Sequence, residues 1–319
     1  MTRKADPVAE IGLLIYPDCQ LSAIHGLTDV FRIASEWAGG STIRVSHWQG
    51  GTDGVTCVWD SHAGGHRLSH IIAPPSIVMP ERMVSLPATA AWMRERHSEG
   101  TTLCSVCAGA FVLAETGLMD GRRATTHWAF AGQLAKRFPK IVLAEEHMVL
   151  DDGDIVTAGG ILAWADLGLT LVERLLGPST MLATARFLLI EPPRSSQLPF
   201  VRFIPRFDHG DDAVLRAQHH LHARSAEAIA ISDLHVIAGM TERTFLRHFA
   251  AATGYRPMAY LQHVRIEQAR RALEQTTASV DSIAWETGYS DPAAFRKQFR
   301  KLTGLAPAIY RQRFGAVSA

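Results

Sequence analysis

The sequence lacks almost everything that marks a secreted, membrane-spanning or disordered chain. It holds only 4 cysteines in 319 residues, too few for a disulfide framework, so reduced thiols are expected. Long apolar runs are missing: Ile11 to Tyr16 is too short to cross a bilayer, and Ile161 to Leu176 is interrupted by Asp166 and Glu173. No membrane association is expected. Met1 to Glu10 carries Arg3 and Lys4 but then Asp6 and Pro7, with no sustained apolar region behind them, which argues against a secretory signal and for a cytoplasmic protein. Excess charge is absent too, since 32 Lys and Arg face 31 Asp and Glu. What is present, 47% hydrophobic and 20% charged residues, is ordinary globular composition, and the length suits two domains.

The near-zero net charge conceals an asymmetry. Residues 1–214 carry 18 basic and 23 acidic side chains, a net of −5, whereas residues 215–319 carry 14 and 8, a net of +6. A basic module that meets a polyanion fits this division, as does an ordinary solvated face. Glu191 to Asp212 holds Pro192, Pro193, Pro199 and Pro205, a density that denies a helix its backbone donors. A linker is therefore placed at 191–212, between domains at 9–190 and 213–314. Before it, β-rich runs at Ile11–Tyr16, Thr42–Trp48, Ile71–Ala73, Thr101–Val106 and Ile155–Ala158 alternate with helical stretches such as Leu21–Trp37 and Ala108–Thr116. This alternation predicts an α/β domain, a flavodoxin-like sandwich with a mostly parallel sheet. After the linker apolar residues recur at helical spacing to Phe314, which predicts an all-α domain.

That second domain contains an internal repeat, visible when Leu234 to Tyr260 is laid over Ile283 to Tyr310. In the first copy a helix closes at Ala238-Gly239, a turn follows at Met240-Thr241, and the next helix carries Phe245 and Phe249 up to Gly254, Pro257 and Tyr260. In the second the helix closes at Thr287-Gly288, the turn is Tyr289-Ser290, and Phe295, Phe299, Gly304, Pro307 and Tyr310 follow. Glycine supplies the left-handed turn position, Thr241 or Ser290 is expected to cap the following helix, and the paired Phe residues anchor it. Each copy thus reads as a helix-turn-helix. The outward positions of the two second helices are polar and net basic: Glu242, Arg243, Arg247 and His248, then Asp291, Arg296, Lys297 and Arg300. With Thr241 and Ser290 at the helix starts, these are the expected contacts to phosphates and base edges of double-stranded DNA. A helical bundle with a charged face would share the pattern of one copy, but not its repetition with matched Gly, Phe, Phe, Gly, Pro and Tyr.

On these residues, together with Arg265-Ile266-Glu267-Gln268-Ala269-Arg270 and Gly288-Tyr289-Ser290-Asp291, residues 213–314 resemble the AraC/XylS DNA-binding domain over its full length. The resemblance implies two helix-turn-helix units joined by a long helix, at about Met258 to Leu273, that enter successive major grooves of promoter DNA. RNA polymerase is an implied partner. The amino-terminal part, from Ala9 to about Leu176, resembles the class I glutamine-amidotransferase-like, PfpI-like fold, as it precedes an AraC-type tail in GlxA-type regulators. The residues that carry this are Tyr16-Pro17, Asp29-Val30-Phe31, Cys107-Ala108-Gly109-Ala110, Gly121 to Trp128, and Thr157-Ala158-Gly159-Gly160. The resemblance implies a homodimer and a small nitrogenous effector.

Cys107 sits at a strand-to-helix elbow, where a helix amino terminus would favour a thiolate and His127 could act as its base. Two departures from the enzymes of this fold point away from catalysis. Ala23 stands where they place an acid, and Ile72-Ala73-Pro74-Pro75-Ser76 replaces the glycine-rich turn that donates an oxyanion N–H, which proline lacks. The reading is therefore a regulator, not an enzyme. Its effector pocket is built from Cys107, Ala108, Thr126, His127, Trp128, Ala23 and Pro75. The alternative is a DNA-tethered cysteine hydrolase or a redox sensor using Cys107. No cofactor and no metal are expected: Cys104 precedes Cys107 within a strand, against a thioredoxin-type pair. His62, His66 and His70, at four-residue spacing, flank Gly64-Gly65 and read as loop residues. His219, His220 and His222 read as solvated or phosphate-contacting.

Overall fold

A computed structural model describes residues 7–51, 53–192 and 194–316. The first six residues, read above for a targeting signal, and Pro193 of the junction lie outside the described residues. The chain divides into two compact units, Met1–Gln197 and Leu198–Ala319. Among the described residues no helix is long and apolar enough to cross a membrane.

The first unit is an α/β sandwich around a seven-stranded sheet. Its strands are β1 (Ala9–Ile15), β2 (Ile43–Gly50), β3 (Val55–Asp60), β4 (His70–Ala73), β5 (Thr102–Val106), β8 (Val149–Asp151) and β9 (Ile155–Ala158), in the order β3-β2-β1-β4-β5-β9-β8. A separate two-stranded pair joins β6 (Arg123–Ala124) to β7 (Val142–Leu143). The inner five strands are parallel, and the edge strands β3 and β8 run antiparallel to their neighbours. The parallel core is the predicted one. Its strands are buried along nearly their whole length, as strands covered on both faces must be. Helix α1 (Leu21–Trp37) turns Ala23, Ile24, Leu27, Val30, Phe31 and Ala34 inward at helical spacing. It packs against α5 (Trp164–Leu176) and α6 (Pro178–Phe187), while α2 (Pro87–Ser98) lies against β3 and β5. Two short helices, α3 (Gly109–Ala114) and α4 (Ala131–Arg137), complete the unit. The strand order reverses at β1, so the loops after β1, β4 and β5 stand where sheets of this topology bind ligands.

The second unit is all helical: α7 (Asp212–Ala223), α8 (Ile231–Ala238), α9 (Glu242–Thr253), α10 (Pro257–Gln275), α11 (Val280–Glu286), α12 (Pro292–Thr303) and α13 (Pro307–Phe314). It has two cores. One gathers Val214, Leu221, Leu234, Phe245, Phe249, Tyr260 and Leu261; the other gathers Ile266, Leu273, Ile283, Phe295, Phe299 and Tyr310. The long helix α10 contributes its first half to one core and its second half to the other. The repeat is geometric as well as sequential. Phe249 meets Tyr260 edge-on at 5.3 Å, and Phe299 meets Tyr310 at the same 5.3 Å.

The chain passes from one unit to the other inside the proline-rich stretch, and that stretch is held at both ends. Arg194 is bound to Asp166 of α5 through its backbone N–H (2.7 Å) and its guanidinium (2.6 Å). Beyond Gln197, the buried guanidinium of Arg270 donates to the carbonyls of Leu198 and Val201, and Arg202 pairs with Glu267 and Glu274. Arg265 likewise donates to the carbonyls of Ser225 (2.7 Å) and Glu227 (2.8 Å). Both arginines of the Arg265–Arg270 motif therefore bind backbone within the unit.

Candidate functional site

The elbow after β5 is built by a strained residue and a close approach. Cys107 has φ of 54°, a conformation costly for a side-chain-bearing residue and frequent at functional turns. Its N–H extends the β5–β9 ladder to the Ala158 carbonyl at 2.8 Å. Gly109 follows because a Cβ there would lie 2.3 Å from the Ala73 carbonyl oxygen and 2.5 Å from that of Pro74. The elbow is thereby pressed onto the loop after β4. That loop is zipped to the loop after β1: Tyr16 Oη donates to the Pro74 carbonyl at 2.6 Å, Gln20 N–H to that of Pro75 at 2.7 Å, and Ile77 N–H to that of Asp18 at 2.8 Å. Pro74 and Pro75 thus offer carbonyls that are already bonded, and no N–H.

Of the residues assigned to the pocket, Ala23, Pro75, Cys107, Ala108 and Thr126 are buried, and His127 and Trp128 are half-buried. Burial opposes the expected thiolate. Burial pushes the Cys107 thiol up to about 12, against a smaller opposing effect of its hydrogen bond with the Ala108 backbone, so it is a neutral thiol at physiological pH. Helix α3 has six residues and does not offset that cost. Burial also lowers the His127 pKa, and its Nδ1 accepts the Ala129 N–H at 3.1 Å, which puts the ring proton on Nε2. Among the described residues no hydrogen bond joins Cys107 to His127. Cys104 is fully buried with its pKa raised by desolvation, so the C-x-x-C pair is two neutral thiols.

Thr126 ties this region together, and it acts with a residue that sequence reasoning missed. Thr126 Oγ1 donates to the Cys107 carbonyl at 2.8 Å. Gln197, 2% exposed, donates through Nε2 to the carbonyls of Thr126 (2.8 Å), His147 (2.9 Å) and Glu145 (3.0 Å). Its Oε1 accepts the Trp128 N–H at 3.3 Å. Gln197 stands some 70 residues beyond the loop that it organises, in a segment read as linker, and no local pattern announces it. Tyr16 was legible as a residue at the carboxyl end of β1.

In the second unit the two turns superimpose in their bonding. Gly239 (φ 69°) and Gly288 (φ 86°) occupy the left-handed region. The Met240 N–H reaches the His235 carbonyl and the Tyr289 N–H that of Ala284, each at 3.0 Å. Thr241 caps α9. Ser290 does not cap α12: Asp291 does, accepting the N–H groups of Ala293 (2.8 Å) and Ala294 (3.1 Å), with Pro292 as the first helical residue. The extra residue in the second turn moves the cap by one, and an aspartate followed by proline suits that place better than serine.

Thr241, Glu242, Arg243, Arg247, Ser290, Asp291, Arg296, Lys297 and Arg300 are all exposed. His248 is half-buried, and its Nδ1 is bound to Asp211 at 2.9 Å. Arg296 is paired with Asp281 of α11. Arg243, Arg247, Lys297 and Arg300 have no ion-pair partner among the described residues. Arg243 and Arg247 share a face of α9 opposite Phe245 and Phe249, and Lys297 and Arg300 lie away from Phe295 and Phe299 on α12. Each second helix therefore presents a pair of exposed cations without an ion-pair partner among the described residues.

Residues 235–313 match the profile of a helix-turn-helix domain family, and residues 70–174 that of the DJ-1/PfpI family. The chain is 28% identical over 232 residues to the HTH-type transcriptional regulator CdhR of Pseudomonas aeruginosa, covering 72% of this chain and 68% of that one. It is 28% identical over 240 residues to the HTH-type transcriptional regulator GlxA of Rhizobium meliloti, covering 74% and 73%. A shorter similarity, 38% over 93 residues, relates it to the isonitrile hydratase of Pseudomonas putida, over 29% of this chain and 39% of that enzyme.

Proposed function

From a chain that joins a DJ-1/PfpI domain to an AraC-type helix-turn-helix domain, we infer a DNA-binding transcriptional regulator whose α/β unit serves as a sensor and not as an enzyme. The observation that carries the DNA-binding half is the duplicated turn, with Arg243 and Arg247 on α9 and Lys297 and Arg300 on α12 exposed and without an ion-pair partner among the described residues. In duplex DNA such cations displace condensed counterions at phosphates and can chelate guanine edges. The sensor half rests on the elbow. A neutral Cys107, an Nε2-protonated His127 and prolines in place of oxyanion donors leave hydrogen-bonding groups around a strained turn but no activated nucleophile.

In this reading a small polar metabolite, in keeping with the nitrogenous effector implied by the resemblance, binds beside Cys107, Thr126, His127 and Trp128 of a cytoplasmic homodimer. It favours one of two states of the protein at a promoter occupied by RNA polymerase. A thermal-shift screen of the full chain against amino acids and amines tests it, since a ligand specific to the folded state raises the melting temperature. The similarity to an isonitrile hydratase, together with the strained Cys107, favours hydrolytic or hydratase turnover as the second reading. Turnover of an isonitrile or amide that disappears in Cys107→Ala would select it. Saturable binding without turnover selects the sensor.

A further inference from the structure

The three histidines at four-residue spacing are dispersed by the fold, but one of them enters a different cluster at the sheet edge. His62 is half-buried in the loop after β3, and His70 is buried in β4. His66 instead meets Cys57 and Asp60 of β3: one donor atom from each of the three lies within 4.8 Å of the others. His66 Nε2 and Asp60 Oδ2 are 3.7 Å apart. A tetrahedral zinc-type centre with bonds of ~2.0–2.3 Å sets its ligands roughly 3.5 Å from one another, so small rotations of the three side chains close the set.

Two independent features prepare this arrangement. The first is a bulge. In the β2–β3 pairing His47 faces Trp59 and Trp48 faces Cys57, which leaves Val58 as an extra residue. In an unbroken strand, residues 57 and 60 would point to opposite faces of the sheet. The bulge reverses the alternation between them and turns Asp60 to the side of Cys57, the kind of re-aiming for which bulges are retained. The second is the orientation of the imidazole. Glu10 of β1, 5% exposed, holds His66 Nδ1 at 2.6 Å and also accepts the Arg67 N–H at 2.7 Å. The Trp48 ring packs edge-on against His66 at 4.8 Å. A carboxylate on one imidazole nitrogen with the other directed at a donor set is the usual outer shell of a histidine–zinc bond.

The charge of the cluster also suits a cation. Against the Glu10 and Asp60 carboxylates stands Arg44, bound to Asp60 through Nε (3.0 Å) and Nη2 and lying 3.6 Å from Glu10, the one cation paired with either carboxylate through its side chain, apart from the His66 ring, among the described residues. A metal takes the neutral imidazole, and with that form of His66 and the Cys57 thiol the cluster carries one net negative charge. A divalent ion that displaces the Cys57 thiol proton brings it to zero, the proton leaving to solvent. Asp60 Oδ1 takes the Arg44 Nε and His62 backbone donors, and Oδ2, which accepts from Arg44 Nη2, keeps a lone pair on the His66 side.

We propose that Cys57, Asp60 and His66 form a binding site for one zinc-class divalent ion, with Glu10 as the residue that positions His66 and the fourth coordination place open to solvent. The ion would tie the edge strand β3 and the 61–69 loop to β1. Titrating Co(II) into the tag-free full chain tests this. One equivalent per chain should produce thiolate-to-metal charge-transfer absorption in the near ultraviolet, and one equivalent of Zn(II) should abolish it. Cys57→Ser should remove that band while Cys107→Ser keeps it. His66→Gln and Asp60→Asn should each weaken binding by at least about tenfold, and Glu10→Gln by ~10–100-fold with unchanged stoichiometry. Absence of the band in the wild-type chain, or its survival in Cys57→Ser, overturns the proposal. The wild-type spectrum decides the matter even if a variant fails to fold.

Discussion

The Thr126 hydroxyl donates to the Cys107 carbonyl at 2.8 Å, and the carbonyl of the same threonine is held at 2.8 Å by the side-chain amide of Gln197. Two hydrogen bonds therefore run from the elbow at the end of β5 to the last residue of the α/β unit. Any ligand that moves Thr126 also changes the bonding of the residue at which the chain leaves that unit.

Replacing Gln197 by Leu keeps its volume but leaves the Thr126, Glu145 and His147 carbonyls without this donor. The Thr125 hydroxyl still serves the His147 and Thr126 carbonyls, so the loss is that of about one buried donor, and urea unfolding of the α/β unit should show a cost of about 1–3 kcal/mol. A loss below ~0.5 kcal/mol, the scatter of neutral surface substitutions, would show that Gln197 does not organise this loop.

Alkylation separates the cysteines. Cys19, Cys104 and Cys107 are buried and Cys57 is half-exposed, and burial raises the pKa of all four. Iodoacetamide on the native chain should modify Cys57 first and leave Cys107 unmodified until the protein unfolds, because only an accessible thiolate reacts. Mass spectrometry showing Cys107 modified first would restore the thiolate and, with it, the enzyme or redox reading.

The cap of α12 discriminates between neighbouring residues. Asp291→Ala should cost about 1 kcal/mol of stability through the loss of two bonds to backbone N–H groups, while Ser290→Ala should change it by less than ~0.5 kcal/mol. Equal effects in denaturant titrations would contradict the register.

Stability should fall in mild acid through His70. Its pKa is lowered from 6.5 to about 4, chiefly by burial and also by Arg174, with Asp151 opposing. Between those values the unfolded chain binds a proton that the folded chain refuses, so stability declines as pH drops from 6.5 to 4, by about 3 kcal/mol at most. His70→Gln should flatten that part of the profile relative to wild type, as read from unfolding midpoints at each pH.

Much of this was legible in the sequence, for identifiable reasons. The five parallel strands are short apolar runs bounded by turns, and the repeated Gly, Phe, Phe, Gly, Pro and Tyr fix both helical cores, because one packing problem is solved twice. The cap was legible too, had it been counted from the anchors: Thr241 stands four residues before Phe245, and Asp291 four before Phe295. Counting from the glycines instead selected Ser290. β3 was missed because the bulge at Val58 breaks its alternation, and β8 because it has three residues. Contacts made by tertiary pairing left no local trace. Gln197 with Thr126, Glu10 with His66, and His222, whose Nε2 meets the Tyr260 hydroxyl at 2.9 Å rather than a phosphate, belong to that class. Sequence reveals the helix start that would favour a Cys107 thiolate but not the depth of burial that opposes it.

In the proposed regulator α9 and α12 each read one segment of the same duplex. Hydroxyl-radical footprinting of the full chain, on a duplex that it has selected from random sequence, tests this most directly. Two protected segments centred ~10 base pairs apart are expected, and affinity should fall steeply with salt. The pair Arg243→Ala and Arg247→Ala should erase one segment, and the pair Lys297→Ala and Arg300→Ala the other. No selected duplex, or two footprints unchanged in both double variants, would contradict the account.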